Sequence, residues 1–251
     1  MSLYSPSEFL QKIKEDAEIS DMPLPVTDKQ LYDRIINSSL KEFSQIHPYI
    51  KTIIIGENEI ENKSSIGMSY DSNGYKIRYV IPEHQYYPLT LLGIAGVNVA
   101  KMTSYSDAYI PQYGFDMPIE DIILNLSQIQ TASTIGSFTG KTPTGKFIKN
   151  NKVDIYNAWM YGYYEVDLKL SHDPSLSTIS DTAFTSLIEL ATYDIEWFLY
   201  GKLKRKNNIE TGAGTYDLQI SDWADSKNKF KELLKEWKED HNLDYDSINF
   251  W

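Results

Sequence analysis

The fold is decided by one stretch of the chain, which reads YGYYEVDLKLSHDPSLSTISDTAFTSLIELATYDIEWFLYGKLKRK over residues 161–206. Its alternating start predicts a strand over Tyr161–Leu170, and Ser171–Pro174 is typical of a turn. Helical spacing of apolar residues then predicts a long helix over Ser180–Lys206. The stretch contains no evident catalytic group, so it indicates packing and assembly rather than chemistry.

The long helix is expected to pack through one apolar stripe. The stripe follows helical spacing and consists of Phe184, Leu187, Ile188, Ala191, Ile195, Phe198 and Leu199. The opposite side carries Thr182, Glu189, Glu196 and Lys202. The last turns are basic, with Lys202, Lys204, Arg205 and Lys206. These cations either offset the negative end of the helix dipole or form a patch for a phosphate or a partner.

Further helices are predicted on both sides of this stretch. Ser5 and Pro6 are typical of a helix start, and Thr27 or Asp28 is expected to cap a second helix that runs to His47. The predicted ranges are 6–20, 28–47, 119–135 and 222–240. Residues 82–118 are expected to be irregular, with at most one short helix.

The remaining strands are predicted from short apolar runs and turn residues. Ile53–Ile55 is expected to be a buried strand. Two hairpins are predicted, one joining 65–70 to 75–81 through Asp71–Gly74, the other joining 146–156 to 161–170 through Asn157 and Ala158. A glycine turn at 212–214 and a strand over 216–220 follow the long helix. Together these elements predict an α+β fold of long amphipathic helices and antiparallel hairpins.

Composition narrows the classes of function. The 251 residues include 24 basic and 35 acidic side chains, which give a net charge of −11. Such a surface as a whole repels phosphate and anionic lipid. The chain has no cysteine, so thiolate metal sites and cysteine nucleophiles are excluded. No apolar run approaches the roughly 20 residues of a membrane span, and no export signal is evident, so we expect no membrane association.

Residues 140–146, GKTPTGK, match the first seven positions of a phosphate-binding loop. Phe147 stands where that loop needs a serine or threonine for magnesium, and Pro143 removes a backbone donor. The residues that follow alternate as in a strand, whereas the loop must lead into a helix. We therefore expect a surface loop with two lysines and no nucleotide site.

The histidines and the acidic turn do not predict a metal site. His47, His84, His172 and His241 are dispersed, and none is paired at the helical spacing of a metal site. His47 and His172 each lie beside a proline turn and are expected to be structural. Asp71–Gly74 resembles the start of a calcium loop, but no glutamate closes it. No metal or other cofactor is predicted.

Carboxylates leave one enzymatic alternative open. Glycoside cleavage needs two of them at a defined separation, and the candidates are Glu165, Asp167, Glu189, Asp194 and Glu196. Glu165 and Asp167 alternate with apolar residues, so the simplest interpretation is the wet face of a strand. No Gly-x-Ser-x-Gly motif is present. We predict that the chain is not an enzyme, with a cell-wall glycosidase as the alternative.

Aromatic residues suggest where other molecules would attach. The chain has 19 tyrosines, and tyrosine suits subunit interfaces, carbohydrate platforms and strand packing alike. Terminal aromatic residues either dock on the chain's own body or on a neighbouring subunit. The candidate subunit-contact residues are Tyr161, Tyr163, Tyr164, Lys204, Arg205, Phe250 and Trp251.

Blocks at both ends resemble structural proteins of the tailed-bacteriophage neck. Leu31–Phe43, LYDRIINSSLKEF, is similar to the helix that opens such proteins. Three further blocks are similar to the C-terminal half of such proteins. They are His172–Ile179, Ala191–Ile195 within the long helix, and Gly214–Leu218 with Asp222 and Trp223. The resemblance covers both ends of the chain.

The resemblance implies a non-enzymatic subunit of a head–tail connector, without a cofactor, lying between portal and tail. Its expected partners are copies of itself in a ring, portal or adaptor proteins, and tail proteins. DNA would pass through without specific binding, and no membrane is involved. The expected location is the virion, after assembly in the host cytoplasm. We expect one connector domain over 1–251, with a possible irregular insertion at 57–140 and a C-terminal arm at 241–251. A tail or baseplate subunit and a carbohydrate-binding module are further alternatives.

Overall fold

A computed structural model describes residues 5–20, 22, 24–61, 69–71, 74–100, 142–158, 163–204, 208–211, 214–217 and 220–240. It contains helices and antiparallel sheets, so the predicted α+β class is confirmed. The chain forms two compact units. The helical unit comprises Met1–Tyr49 and Ser171–Trp251, and the sheet unit comprises Ile50–Leu170. The helix predicted over 119–135 and the arm over 241–251 lie outside the described residues.

The helices are α1 (Pro6–Asp16), α2 (Asp28–Asn37), α3 (Ser39–Ile46), α4 (Asp181–Leu203) and α5 (Ser226–Asp240), with 3-10 turns at Glu57–Glu59, Glu83–Gln85 and Ile220–Asp225. The strands are β1 (Tyr49–Ile55), β2 (Ser69–Asp71), β3 (Gly74–Val80), β4 (Leu91–Val99), β5 (Thr144–Ile148), β6 (Lys152–Tyr156), β7 (Tyr164–Leu170), β8 (Asn208–Thr211) and β9 (Gly214–Asp217).

Helix α4 is the centre of the helical unit. Contacts to α1, α2, α3, α5 and the 3-10 turn that precedes α5 all converge on it. The predicted stripe is buried apart from Phe198, which is partly buried, and Leu190, Thr192 and Asp194 are buried as well. The helix is therefore covered on more sides than a single stripe requires. Phe9 of α1 packs edge-on against Phe184, with ring centroids 5.9 Å apart.

The predicted helix starts are confirmed by their caps. Ser5 Oγ accepts the Glu8 amide at 3.3 Å while the Glu8 carboxylate accepts the Ser5 amide at 2.7 Å. Thr27 and Gln30 form the same reciprocal pair at the start of α2. Each capping box satisfies two backbone donors that the first helical turn leaves free.

The prediction of one helix over 28–47 was wrong, because the chain breaks at Ser38. Ser38 has a ψ of −77°, and α2 ends at Asn37 while α3 begins at Ser39. Asn and Ser are weak helix formers, because their side chains can hydrogen-bond to nearby backbone groups and so compete with the helix. Here Asn37 donates to the Asp33 carbonyl at 2.7 Å, and Ser39 donates to Asp194 at 3.1 Å. The break lets both short helices contact α4.

The sheet unit contains two sheets. One has the strand order β1-β7-β4, and the other has the order β2-β3-β6-β5. The first predicted hairpin is confirmed, since Asp71 of β2 pairs with Gly74 of β3. Edge strands β4 and β5 contact one another. A Cβ on Gly145 would lie 2.4 Å from Val97 Cγ2, so glycine is required at this contact.

The second predicted hairpin was wrong. Residues 146–156 do not form one strand, because Asn150 and Asn151 adopt positive φ angles of 63° and 53° and turn the chain between β5 and β6. Strand β7 pairs antiparallel with β4 and lies in the other sheet. Asn157 also has a positive φ, but it does not connect two paired strands.

Two further expectations are corrected in the sheets. Residues 91–99 form strand β4 rather than irregular chain; its register shifts at Gly93 and at Gly96, and these bulges hide the alternation of side chains. Ile53–Ile55 lies in a strand as predicted, but Ile54 is exposed, so the run is not buried on both faces. In the helical unit, the strand predicted over 216–220 is β9, which ends at Asp217 and pairs with β8.

Candidate subunit-contact surface

The structure describes Tyr163, Tyr164 and Lys204 of the seven predicted contact residues. Tyr161, Arg205, Phe250 and Trp251 lie outside the described residues. Lys204 is exposed just after α4, and its amide donates to the Tyr200 carbonyl at 2.8 Å. Its charge therefore stands at the negative end of the α4 dipole, as the simpler interpretation of the basic cluster expects.

Tyr164 belongs to the interior of the sheet unit. Its side chain is 2% exposed and packs edge-on against Tyr79, with ring centroids 5.9 Å apart. Alternate residues of β7, namely Val166, Leu168 and Leu170, are buried on the same face. The contact role predicted for Tyr164 does not fit this position, because the side chain is not accessible to another subunit.

Tyr163 lies on the opposite, outer face and is 41% exposed. Its ring covers Gly56: a Cβ at residue 56 would lie 2.8 Å from two ring carbons. The Tyr163 carbonyl accepts the Ala100 amide at 2.9 Å, which fixes the backbone where β7 begins. The absence of a side chain at position 56 therefore allows the ring to approach the end of β1 this closely.

The outer face of β1 is apolar. Ile50 is 45% exposed and Ile54 is 59% exposed, with exposed Thr52 between them. Thr52 Oγ1 donates to Asp167 Oδ1 at 2.6 Å, so this face of β1 and the Tyr163 face of β7 are one side of the sheet. Ile50, Thr52, Ile54 and Tyr163 thus form a continuous row, which we call the outer strip.

The outer strip was missed from the sequence, although a signal was present. Strand β1 reads YIKTIII, so apolar or β-branched residues occur on both of its faces. The isoleucine run predicts a buried strand, whereas the structure exposes one face of it. Among the described residues, the exposed large hydrophobic side chains are Ile50, Ile54, Tyr87, Val99 and Tyr163, all in the sheet unit.

The other sheet carries basic residues that are held by carboxylates of the same unit. Arg78 donates to buried Asp154 at 2.5 and 2.9 Å, Lys76 lies 3.6 Å from Asp154, and Lys152 binds Glu61 at 2.5 Å. The hydrogen bonds from Arg78 hold the pKa of Asp154 below its usual range. These cations form internal ion pairs rather than a bare phosphate site.

Three of the five carboxylates that suggested a glycosidase are bound to other side chains of the fold. Arg34 and Ser39 bind Asp194, and Ser226 Oγ donates to Glu196 Oε2 at 2.5 Å. Burial raises the pKa of Glu196. Asp167 accepts from Thr52. These bonds account for Asp167, Asp194 and Glu196 as structural groups.

His172 is a structural histidine, as predicted. Its Nε2 lies 2.7 Å from the His47 carbonyl, and its Nδ1 lies 3.0 Å from Thr178 Oγ1. Burial lowers its pKa. No cluster of three potential metal-ligating side chains occurs in the part of the chain that the structure describes. The loop that imitated a phosphate site leads into strand β5 and has no helix start after Lys146.

Comparison with known proteins identifies the family. No curated protein sequence matches the chain. Within the described ranges, no helix is long and apolar enough to cross a bilayer. The family model described as "Bacteriophage ring protein" matches residues 3–247, nearly the full length. The chain therefore belongs to the bacteriophage ring protein family and is a structural protein of a phage.

Proposed function

We propose that this protein is a repeated subunit of a ring in the neck of a tailed phage, where it joins the filled head to the tail. The family match over residues 3–247 carries the proposal, because ring proteins act as assembled copies. The neck position rests on the resemblance to connector proteins of residues 31–43 and of the blocks 172–179, 191–195 and 214–218 with Asp222 and Trp223. Residues 31–43 include most of α2 and the first half of α3, and both helices contact α4.

The described interior supports a structural role. Its buried charged groups, Asp154 and Asp194, are each neutralised by an arginine. The large apolar side chains that are exposed among the described residues lie in the sheet unit, where they would be covered on assembly. The proposed partners are other copies of the chain, portal or adaptor proteins, and tail proteins. DNA passes through the ring without specific binding.

Native mass spectrometry of the full chain, followed by electron microscopy, tests the ring. We expect a single closed oligomer, alone or after addition of portal protein. A chain that stays monomeric with portal and with tail protein would contradict the proposal.

Antibody labelling of separated particles tests the position. Filled heads that lack tails should carry the label at one vertex, whereas free tails should not. Label on free tails, or on the baseplate, would favour the tail alternative instead. Incubation of the protein with cell-wall substrate provides the enzymatic control, and no clearing is expected.

A further inference from the structure

The outer strip is the one apolar row that the described fold leaves uncovered. The inner face of β1 already supplies Ile53 and Ile55 to the interior. Single exposed hydrophobic side chains are ordinary on protein surfaces, but a row on one strand face is not. At about 3.3 Å per residue, positions 50 to 56 extend the row over roughly 20 Å.

The strand that carries the row lies at an edge of its sheet, where another chain could pair with it. Among the described residues, β1 is the terminal strand of the sheet β1-β7-β4. Native proteins usually place charged side chains on such edges to prevent association. The outer strip has no charged member, and the hydroxyl of Thr52 is already bonded to Asp167. The strip face of this edge strand therefore lacks charged protection, since the one charged side chain of β1, Lys51, alternates to the other face and donates to the Gln85 carbonyl.

Tyr163 extends the row past the end of the strand. Its ring lies against Gly56, and the residue remains 41% exposed. Tyrosine combines a large rigid contact area with little conformational freedom to lose on association. The predicted contact role of Tyr163 thus gains a structural setting, together with Ile50 and Ile54.

We propose that the outer strip is the seam through which one copy of this chain docks on the next copy in the ring. This inference rests on the proposed ring function. Each copy has a net charge of −11, so two copies repel one another over most of their surfaces. An uncharged apolar row is where like-charged copies gain free energy on contact. In a closed ring the seam is heterologous, so the strip of one copy meets a different surface of its neighbour.

Single-cysteine labelling tests the seam directly, because the natural chain has no cysteine. In the variant Ile54→Cys, thiol alkylation should be at least about tenfold slower in purified rings than in monomers, since an interface core excludes water. Val99→Cys serves as a matched control, because Val99 is also exposed but lies outside the strip. Its alkylation rate should change much less.

Charge substitution supplies a second test. Ile50→Lys should weaken ring formation by about a hundredfold or more, because the seam would bury a charge without a partner. Val99→Lys is its control, since Ile50 and Val99 are both 45% exposed. Unchanged thermal unfolding of the monomer would show that each variant folds. Ring yield of the natural chain should rise with salt, which screens repulsion between copies.

The outcomes separate the seam from the ring itself. Rings in which Ile54→Cys reacts at the monomer rate would overturn the seam and leave the ring function standing. Protection that appears only when portal or tail protein is added to rings already formed would also overturn it, because the strip would then bind a different partner. If Ile50→Lys and Val99→Lys reduce ring formation equally, the seam is overturned as well. A chain that forms no ring with any partner would overturn the ring function and the seam together.

Discussion

Arg34 on α2 grips the carboxylate of Asp194 on α4 with two nitrogens, at 2.6 Å from Nη2 to Oδ1 and 3.1 Å from Nε to Oδ2. Asp194 is buried, and Ser39 Oγ donates to its second oxygen. The guanidinium also lies over the rings of Trp197 and Phe198. This contact joins the second helix to the central helix of the helical unit.

Replacement of Arg34 should therefore be costly. Arg34→Met leaves a buried carboxylate without its cation, and we expect the free energy of unfolding to fall by about 2 to 3 kcal/mol. The double variant Arg34→Met with Asp194→Leu should recover a large part of that loss, because the uncompensated charge is gone. Urea denaturation of the three proteins measures both effects. A single variant as stable as the natural chain would contradict this account.

Gly145 should not tolerate a side chain. A Cβ there would lie 2.4 Å from Val97 Cγ2 and 2.6 Å from Ile94 Cδ1. Gly145→Ala should lower the free energy of unfolding by roughly 1 to 3 kcal/mol. Adding Val97→Ala makes room for the new methyl, so the double variant should lose less than the sum of the two single losses. Additive losses would mean that β4 and β5 do not approach so closely.

Helix starts were predictable because their signals are local. Ser5 with Glu8, and Thr27 with Gln30, are each three residues apart, and the structure forms both capping boxes. The apolar spacing of Phe184, Leu187, Ile188 and Ala191 likewise lies within one helix. In each case the residues that decide the element are neighbours in sequence.

Strand pairing was not predictable to the same degree, because partners are chosen by tertiary contacts. Strand β7 pairs with β4, which lies some seventy residues earlier in the chain, rather than with its sequence neighbour β6. The exposure of the outer strip was unpredictable for the same reason, because tertiary contacts decide which face of β1 is covered. The sequence indicates that Ile54 needs cover, but only the structure shows that the described fold does not provide it.

Acid should destabilise the protein through His172. Burial lowers its pKa from the ordinary value of 6.5, so the unfolded chain binds a proton more readily than the folded protein. The stability that the buried, neutral imidazole contributes is fully present above pH 6.5 and is lost as the pH falls below that value. We expect the variant His172→Asn to be less stable than the natural chain at pH 7. Between pH 6.5 and 5, however, its free energy of unfolding should fall less than that of the natural chain. Denaturation midpoints across this range measure the difference, and parallel curves would contradict it.

Glu196 should show the opposite linkage. Burial raises its pKa above the ordinary 4.5, so the folded state holds the proton more tightly and stability falls as the pH rises through this range. Glu196→Gln keeps an acceptor for Ser226 and removes the partly buried charge. It should unfold at a higher temperature than the natural chain at pH 7, with little difference at pH 4. A lower melting temperature at pH 7 would show that the ionised carboxylate is stabilising.

Tyr79 and Tyr32 should respond oppositely to loss of the hydroxyl. Tyr79 is fully buried, and its Oη has no hydrogen-bond partner among the described residues, while burial raises its pKa. Tyr79→Phe removes a desolvated polar group and should stabilise the protein by up to about 1 kcal/mol. Tyr32 Oη instead donates to the Pro174 carbonyl at 2.7 Å, so Tyr32→Phe should cost about 1 kcal/mol. If thermal unfolding shows that Tyr79→Phe is also destabilising, the Tyr79 hydroxyl has a partner in a segment outside the described residues.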